Sequence, residues 1–149
     1  MAKHFVPLCS ALFICGCAIH QPGPLVPYRV QSDAINEPLA HAPGDPGRGR
    51  EILIGRTGNC LLCHAAPETG APFMGNLGPP LSGVASRLSA GQMRLRIVDP
   101  LQLNPNSIMP AYYRIAGLTR VAEPWRGQPI LDAQQIDDVV AYLLTLRRR

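Results

Sequence analysis

The clearest pattern of apolar and polar residues lies near the C-terminus of the chain. Apolar residues recur there at i, i+3, i+4, i+7 and i+8, which places them on one face of a helix. These residues are Ile136, Val139, Val140, Leu143 and Leu144. Asp132 and Gln135 precede them at the spacing of a capping box. The pattern predicts a helix that begins after Asp132 and buries one apolar stripe.

A first helix is predicted to begin at Asp45 and Pro46, which suit the N-cap and the first helical position. Gly49, Ile52 and Leu53 share one face at helical spacing, and the helix is expected to break at Gly55 and Gly58. Glycine inside a helix costs about 1 kcal/mol relative to alanine. Gly49 therefore predicts that another helix approaches closely.

A second helix is predicted between these two. Ser89 and Gln92 form a capping-box pattern, and Pro100 disfavours helical geometry at Asp99. The expected buried edge consists of Leu95 and Val98. Residues 65–87 and 100–131 are rich in Gly and Pro and are predicted to be loops. No repeat and no alternating strand pattern is present in the sequence, which indicates an all-α fold with three main helices.

The N-terminal part of the chain is predicted to lie outside this fold. Residues 1–17 resemble an export signal, with Lys3 followed by a short apolar run, and the chain is therefore expected in the periplasm. The run is too short for a stable membrane anchor. Cys17 closes a sequence similar to a lipoprotein processing box, so lipidation of Cys17 and ordinary cleavage near it are both considered.

Residues 18–44 contain five prolines and little apolar periodicity. Proline fixes φ and removes a backbone donor, so this segment is predicted to be a linker or an extended arm that is not part of the core. A mobile tether and an arm that wraps on a partner are the two interpretations. The predicted domain therefore spans residues 45–149.

The motif Cys60-Leu61-Leu62-Cys63-His64 follows the first predicted helix. C-x-x-C-H is the attachment signature of a c-type haem, in which two thiols form thioethers and the histidine binds the iron. Cys9 and Cys15 are expected to leave with the export signal and Cys17 to be removed or acylated, so the mature domain keeps only Cys60 and Cys63. This count disfavours a disulfide scaffold or a closed zinc site. A reduced C-x-x-C redox module without haem is the alternative, and the lack of a βαβ pattern disfavours it.

Composition agrees with this prediction. Aromatic residues make up 5% of the chain, whereas there are 16 prolines and 14 glycines, so the side chains alone provide a thin core that a haem would complete. The net charge is +4, carried almost entirely by arginine. Basic blocks interleaved with aromatic residues are absent from the sequence, which disfavours nucleic-acid binding.

The second axial ligand has several candidates. Met109 is favoured, because the intervening helix and loop let the chain pass from one haem face to the other. Met74 is the main rival, and Met93 is expected in the core of the second helix. A bis-histidine site would require an arm bearing His20 or His41 to fold back. A His64/Met109 pair fills both axial positions, raises the potential and predicts one-electron transfer.

Pro79 is the candidate partner of His64 in the surrounding protein. Pro79 follows the motif at a distance that lets its carbonyl accept a hydrogen bond from His64 Nδ1. Such a bond would orient the imidazole. A plain loop proline is the alternative. Ser107 and Tyr112, near the ligand loop, are expected to pack or to bind haem propionates.

These features resemble the class I cytochrome c family over about residues 45–149. Gly49 and Leu53 resemble its first-helix contact, Gly78-Pro79 its proximal proline and Met109 its distal ligand. The segments Gly75–Leu81, Leu95–Pro100 and Ile108–Tyr113 are similar, more narrowly, to the SoxX family. These are monohaem subunits of the SoxAX complexes of bacterial sulfur oxidation.

The resemblance implies that this protein relays electrons. SoxAX complexes join thiosulfate oxidatively to a cysteine of the SoxYZ carrier, as an L-cysteine S-thiosulfotransferase. The substrate chemistry belongs to the SoxA subunit, and the SoxX haem passes electrons to a soluble cytochrome c. The chain itself offers no nucleophile for thiosulfate and is expected to have no catalytic residue. A free monohaem carrier for another periplasmic enzyme is the alternative.

The loop of residues 111–131 is the predicted contact surface. It contains Tyr, Trp and Arg residues, which are enriched at interface cores. They are Tyr112, Tyr113, Arg114, Arg120, Trp125 and Arg126. A surface loop folded over the haem is the competing interpretation.

Overall fold

The computed structural model describes residues 25–147, which form three α-helices joined by long loops. The helices are α1 (Pro46–Ile54), α2 (Ala90–Val98) and α3 (Ala133–Leu143). Within this range no strand is formed, and the pair Gln31 and Ala34 makes an isolated bridge. The loops contain short 3₁₀ turns at Cys60–Leu62, Pro67–Thr69, Val84–Ser86, Pro100–Gln102 and Glu123–Trp125. The prediction of an all-α fold with three main helices is confirmed.

Each helix begins where its capping residue predicts. The Asp45 side chain accepts a hydrogen bond from Arg48 N at 2.7 Å, and Pro46 occupies the first turn of α1. The other two helices begin with reciprocal capping boxes, formed by Ser89 with Gln92 and by Asp132 with Gln135. A capping box satisfies amide groups that the first helical turn leaves without partners, so it defines the start of a helix locally.

The close approach predicted at Gly49 occurs between α1 and α3. A Cβ atom at this position would overlap the main-chain carbonyl of Asp138 and would lie 3.0 Å from the Cβ atom of Tyr142. Only a residue without a side chain fits there. Gly49 thus lets the two helices cross at main-chain contact and brings the start of α1 onto α3.

The core lies where α2 and α3 meet α1 and the loops. Leu95 and Val98, the predicted edge of α2, are fully buried, as is Ile136 of α3. Met93 is also buried, as expected from its position in the helix. Further core residues are Leu53, Leu61, Ala66, Val84, Ile97, Leu131, Val139, Val140 and Leu143.

The segment that precedes α1 corrects one prediction. Residues 25–44, here called the arm, were expected to lie outside the core, yet Ile35 and Leu39 are buried members of it. The amide of Ile35 also donates to the carbonyl of Gly91 in α2 at 3.0 Å. Prolines prevent helical periodicity in the arm, so two isolated apolar residues carry its packing without a recognisable pattern.

A buried carboxylate of α3, Asp137, holds the arm. Asp137 accepts from the amides of Leu39 and Ala40 at 2.7 and 2.8 Å and from Arg94 Nε at 2.7 Å. Arg94 also donates to the carbonyl of Ile35 at 2.7 Å. The side chains of Arg94 and Asp137 are 6% and 4% exposed, so this ion pair lies in the interior.

The next residue, Asp138, holds the start of α1 rather than the arm. It accepts from the amide of Asp45 at 2.7 Å and from Gln134 at 2.9 Å. It also receives two hydrogen bonds from the Arg48 guanidinium, at 2.7 and 2.8 Å. Asp138 therefore ties the N-terminus of α1 to α3 directly beside the contact at Gly49.

The predictions for residues 1–24, namely the export signal, the lipidation of Cys17 and a ligand role for His20, lie outside the described residues. Among residues 25–147, no helix is both long and apolar enough to cross a membrane.

Candidate haem site

The C-x-x-C-H motif forms a tight turn directly after α1. Cys60 begins a 3₁₀ turn, and its carbonyl accepts from the amides of Cys63 at 3.1 Å and His64 at 2.9 Å. Asn59 precedes the turn in the left-handed conformation, with φ of 50°. Both cysteines are free and partly buried. The turn therefore holds two thiols and an imidazole in one short segment, as covalent haem attachment requires.

The imidazole of His64 is oriented by the chain that follows it. Nδ1 lies 2.7 Å from the carbonyl oxygen of Pro79. A carbonyl oxygen can only accept, so Nδ1 is the donor, and the neutral tautomer that makes this bond leaves the Nε2 lone pair for a metal. The structure thus brings together the two residues that were predicted to pair.

Glycine lets the loop lie flat against this ring. A Cβ atom at Gly78 would overlap the His64 imidazole, at 2.7 Å from Nδ1. The loop is fastened to the motif by main-chain hydrogen bonds of 2.7 Å from Gly75 to Leu61 and from Gly78 to Cys63. These contacts fix the height of the Pro79 carbonyl above the motif.

The three candidate methionines occupy different environments. Met93 is 2% exposed inside the core and is unsuited to ligation. The sulfur of Met74 accepts from the amide of Ala66 at 3.2 Å, so it is engaged within the loop that follows the motif. Met109 is partly buried against the core, and its amide donates to Ser107 Oγ at 3.3 Å. These environments favour Met109 over its rivals.

His41 does not lie in the same region. It lines a hollow of about 350 Å³ between the arm and α3, together with residues such as Ala141 and Leu144. Neither the attachment motif nor Met109 lines that hollow. The arm is held there by Asp137, which disfavours a bis-histidine site built from His41.

Exposed apolar side chains flank the candidate ligands. Leu62 lies inside the motif, Phe73 and Leu77 lie in the loop that covers it, and Ile108 precedes Met109. Each is between 67% and 87% exposed. Large apolar side chains are stabilised when an apolar surface covers them. A porphyrin provides such a surface, so these residues fit a haem at this site.

Cys60 is the more enclosed of the two thiols. Burial raises the pKa of Cys60 to about 11, and a hydrogen bond with Tyr112 partly offsets that effect. Burial also raises the pKa of the Tyr112 phenol. Both groups are therefore neutral at physiological pH, which suits an apolar cofactor pocket. Within residues 25–147, no group of three or more His, Cys, Asp or Glu side chains offers a separate metal site.

Comparison with known families agrees with this geometry. The family model described as cytochrome c matches residues 48–147. The chain belongs to the cytochrome c family. Membership implies a covalently bound haem c, for which Cys60, Cys63 and His64 are the residues in place. The family match begins after the arm, so the arm is an addition to the matched region.

Comparison with solved structures gives a more specific likeness. The chain is similar to a chain in the crystal structure of SoxXA from P. pantotrophus, with 31% sequence identity and a TM-score of 0.75. The match covers 86% of this chain and all of the other chain. The resemblance to SoxX-type cytochrome subunits is confirmed. Comparison with curated proteins gives no match.

The predicted contact loop divides into two parts. Tyr112 and Tyr113 are buried at 7% and 2% exposure, so they belong to the core. Trp125 is 64% exposed and lines a cavity of about 310 Å³ with Arg120 and Arg126. Arg114 follows these tyrosines and lies 3.9 Å from Asp99, whereas the Trp and Arg side chains of the second part face outward.

The residues that connect the site to the scaffold were not predicted from the sequence. Arg94 and Asp137 are 43 positions apart, and no local pattern pairs them. The role of Tyr112 was also missed, because its partner Gly58 is 54 positions away. A charged residue inside a buried helix face was the available signal for Arg94.

Proposed function

We propose that this protein is the electron-transfer haem c subunit of a SoxAX-type L-cysteine S-thiosulfotransferase in the periplasm. It would take electrons from the oxidative joining of thiosulfate to a SoxYZ carrier and pass them to a soluble cytochrome c. The observation that carries this proposal is the likeness to the SoxXA chain over its full length. A free monohaem carrier is the alternative function, and the partner experiment below distinguishes it from the SoxAX-type subunit.

Different residues would attach the haem and bind its iron. Cys60 and Cys63 would attach haem c covalently, while His64 and Met109 would bind its iron. The Pro79 carbonyl accepts a hydrogen bond from His64 Nδ1 at 2.7 Å, which would direct Nε2 to the metal and make the imidazole a stronger donor. When bound, haem c supplies one-electron redox chemistry. With His64 and Met109 both bound, the iron would have no place for a substrate, which suits a relay.

The axial pair is tested by two matched variants of the holoprotein. Met109→Ala is expected to abolish the near-infrared sulfur–iron band and to lower the reduction potential, because the soft thioether favours ferrous iron. Met74→Ala is the control and is expected to keep the band, since the Met74 sulfur is engaged with the Ala66 amide. The reverse result would assign the ligand to Met74.

The partner is tested by co-expression with a SoxA-type cytochrome and purification through one subunit. A stable heterodimer that reduces a soluble cytochrome c in the presence of thiosulfate and SoxYZ is expected. A chain that stays monomeric, yet exchanges electrons with an acceptor, would favour the free carrier.

We further propose that the partner contacts the outward part of the 111–131 loop. Trp125 stands beside Arg120 and Arg126 around the cavity of about 310 Å³, and Trp and Arg often form the central contacts of interfaces. Trp125→Ala is expected to weaken partner affinity by roughly tenfold or more. Phe73→Ala is the control, because Phe73 is another exposed aromatic but lies in the loop over the attachment motif. A larger loss in the Phe73 variant would place the contact at the haem edge instead.

Export and lipidation of Cys17 remain separate proposals. Mass spectrometry of the mature N-terminus would identify either a diacylated Cys17 or cleavage near it. An N-terminus that retains Lys3 would contradict export.

A further inference from the structure

The Tyr112 hydroxyl connects the two segments that contain the proposed axial ligands. Tyr112 lies three residues after Met109, and its hydroxyl donates to the carbonyl of Gly58 at 2.6 Å. Gly58 lies two residues before Cys60, at the start of the attachment motif. The side chain is 7% exposed, so this hydrogen bond is shielded from water.

The main chain of Tyr112 is held on both sides. Its amide donates to the carbonyl of Ile97 in α2 at 3.1 Å, and its carbonyl accepts from the amide of Leu131 at 3.0 Å. The segment that follows Met109 is therefore anchored between α2 and the chain that enters α3. A phenol on such an anchored segment has little freedom, so its hydroxyl position is defined by the scaffold.

The Gly58 residue that accepts this hydrogen bond is equally restricted. Gly58 is buried, and a Cβ atom there would overlap the main chain of Ile52 at the end of α1. The partly buried Cys60 thiol lies beside the same phenol, and Tyr112 lowers the Cys60 pKa against the larger effect of burial. One phenol thus stands beside both the carbonyl that introduces the motif and the first attachment sulfur.

We propose that Tyr112 is a positioning residue that holds the Met109 loop at a fixed distance from the attachment motif and so keeps the methionine sulfur on the iron. This inference rests on the proposed His64/Met109 ligation. It gives Tyr112 a role beyond packing or propionate binding. Without the hydroxyl, the buried Gly58 carbonyl loses its donor, and the loop opens more readily.

The test measures how easily an added ligand displaces the methionine. Imidazole is titrated into the ferric holoprotein, and the loss of the near-infrared sulfur–iron band gives the midpoint concentration. Tyr112→Phe keeps the ring and removes the hydroxyl, so the midpoint is expected to fall roughly tenfold. Tyr113→Phe is the matched control, because Tyr113 is also buried but its hydroxyl accepts from the Val26 amide in the arm at 2.7 Å. Its midpoint is expected to stay within about twofold of the wild type.

The outcomes separate the inference from the function on which it rests. A wild-type protein without the sulfur–iron band overturns both. A normal band with an unchanged midpoint in Tyr112→Phe overturns the role of Tyr112 alone, and so does an equal fall in Tyr113→Phe. If Tyr112→Phe fails to accumulate with haem, fluorotyrosine is incorporated into the wild type and into Tyr113→Phe, and the imidazole titration is repeated. Fluorination makes the phenol a stronger donor at almost the same volume. A higher imidazole midpoint than in the unlabelled proteins supports the inference, and an unchanged midpoint overturns it.

Discussion

Replacing Asp137 with alanine removes the centre of the contact between the arm and α3. Three hydrogen bonds are lost, from the amides of Leu39 and Ala40 and from Arg94 Nε. The Arg94 side chain is 6% exposed and cannot return to water without opening the core. The variant therefore leaves a buried cation and two amides without their acceptor.

The expected cost follows from this burial. Removing one partner of a buried ion pair destabilises a protein by about 3–5 kcal/mol. Asp138→Ala is the matched comparison on the next residue of the same helix. Its partner Arg48 is 57% exposed and regains water when the carboxylate is removed, so we expect a smaller loss of about 1–3 kcal/mol. The melting temperature is expected to fall by about 10–20 °C for Asp137→Ala.

The assay is urea unfolding of the holoprotein, followed by far-ultraviolet circular dichroism, with limited proteolysis to report release of the arm. Asp137→Asn keeps an acceptor for the amides but leaves Arg94 unpaired. Adding Arg94→Met to that variant is expected to restore stability, because no unpaired buried charge then remains. A loss in Asp137→Ala no larger than in Asp138→Ala, or no recovery in the double variant, would refute the reasoning.

Two further predictions concern α1 and its contact with α3. Gly49→Ala is expected to lower the free energy of unfolding by about 3 kcal/mol, because the added methyl group overlaps the main chain of α3. Gly47→Ala, on the exposed side of α1, is the control, and equal urea midpoints would contradict this prediction. For Asp138, burial by itself raises the pKa, but hydrogen bonds from Arg48 and from main-chain and amide donors outweigh burial, so the pKa lies below its usual value. Because the folded pKa is depressed, the stabilisation is present above about pH 4 and is lost as the pH falls through the folded pKa. We expect the stability difference between wild type and Asp138→Asn to shrink below about pH 4, and a constant difference in urea titrations would be the contrary result.

The local features of this protein were predictable because short-range chemistry determines them. Asp45, Ser89 and Asp132 start their helices through hydrogen bonds to groups three residues away. The attachment motif is likewise contained within five residues. Pairing of His64 with the Pro79 carbonyl was also predicted, since Pro79 follows the motif at a distance that lets its carbonyl reach Nδ1.

The packing of the arm could not be predicted from local sequence patterns. Its prolines correctly excluded a helix before α1, but they gave no sign that Ile35 and Leu39 enter the core. Nor did local pattern distinguish Tyr112 and Tyr113, which are buried, from Trp125, which is exposed in the same loop. Burial depends on the elements that pack over a residue, and those elements are distant in sequence.

The amino-acid sequence by itself determined the three helices, their starting residues, the haem attachment motif and the need for glycine at position 49. Only the tertiary structure decided how these parts are held together. The arm is fastened by Asp137 and Arg94, and the Met109 loop is joined to Gly58 through Tyr112. The physical reason is separation along the chain: caps and motifs act within a few residues, whereas these hydrogen bonds join positions 43 to 98 residues apart.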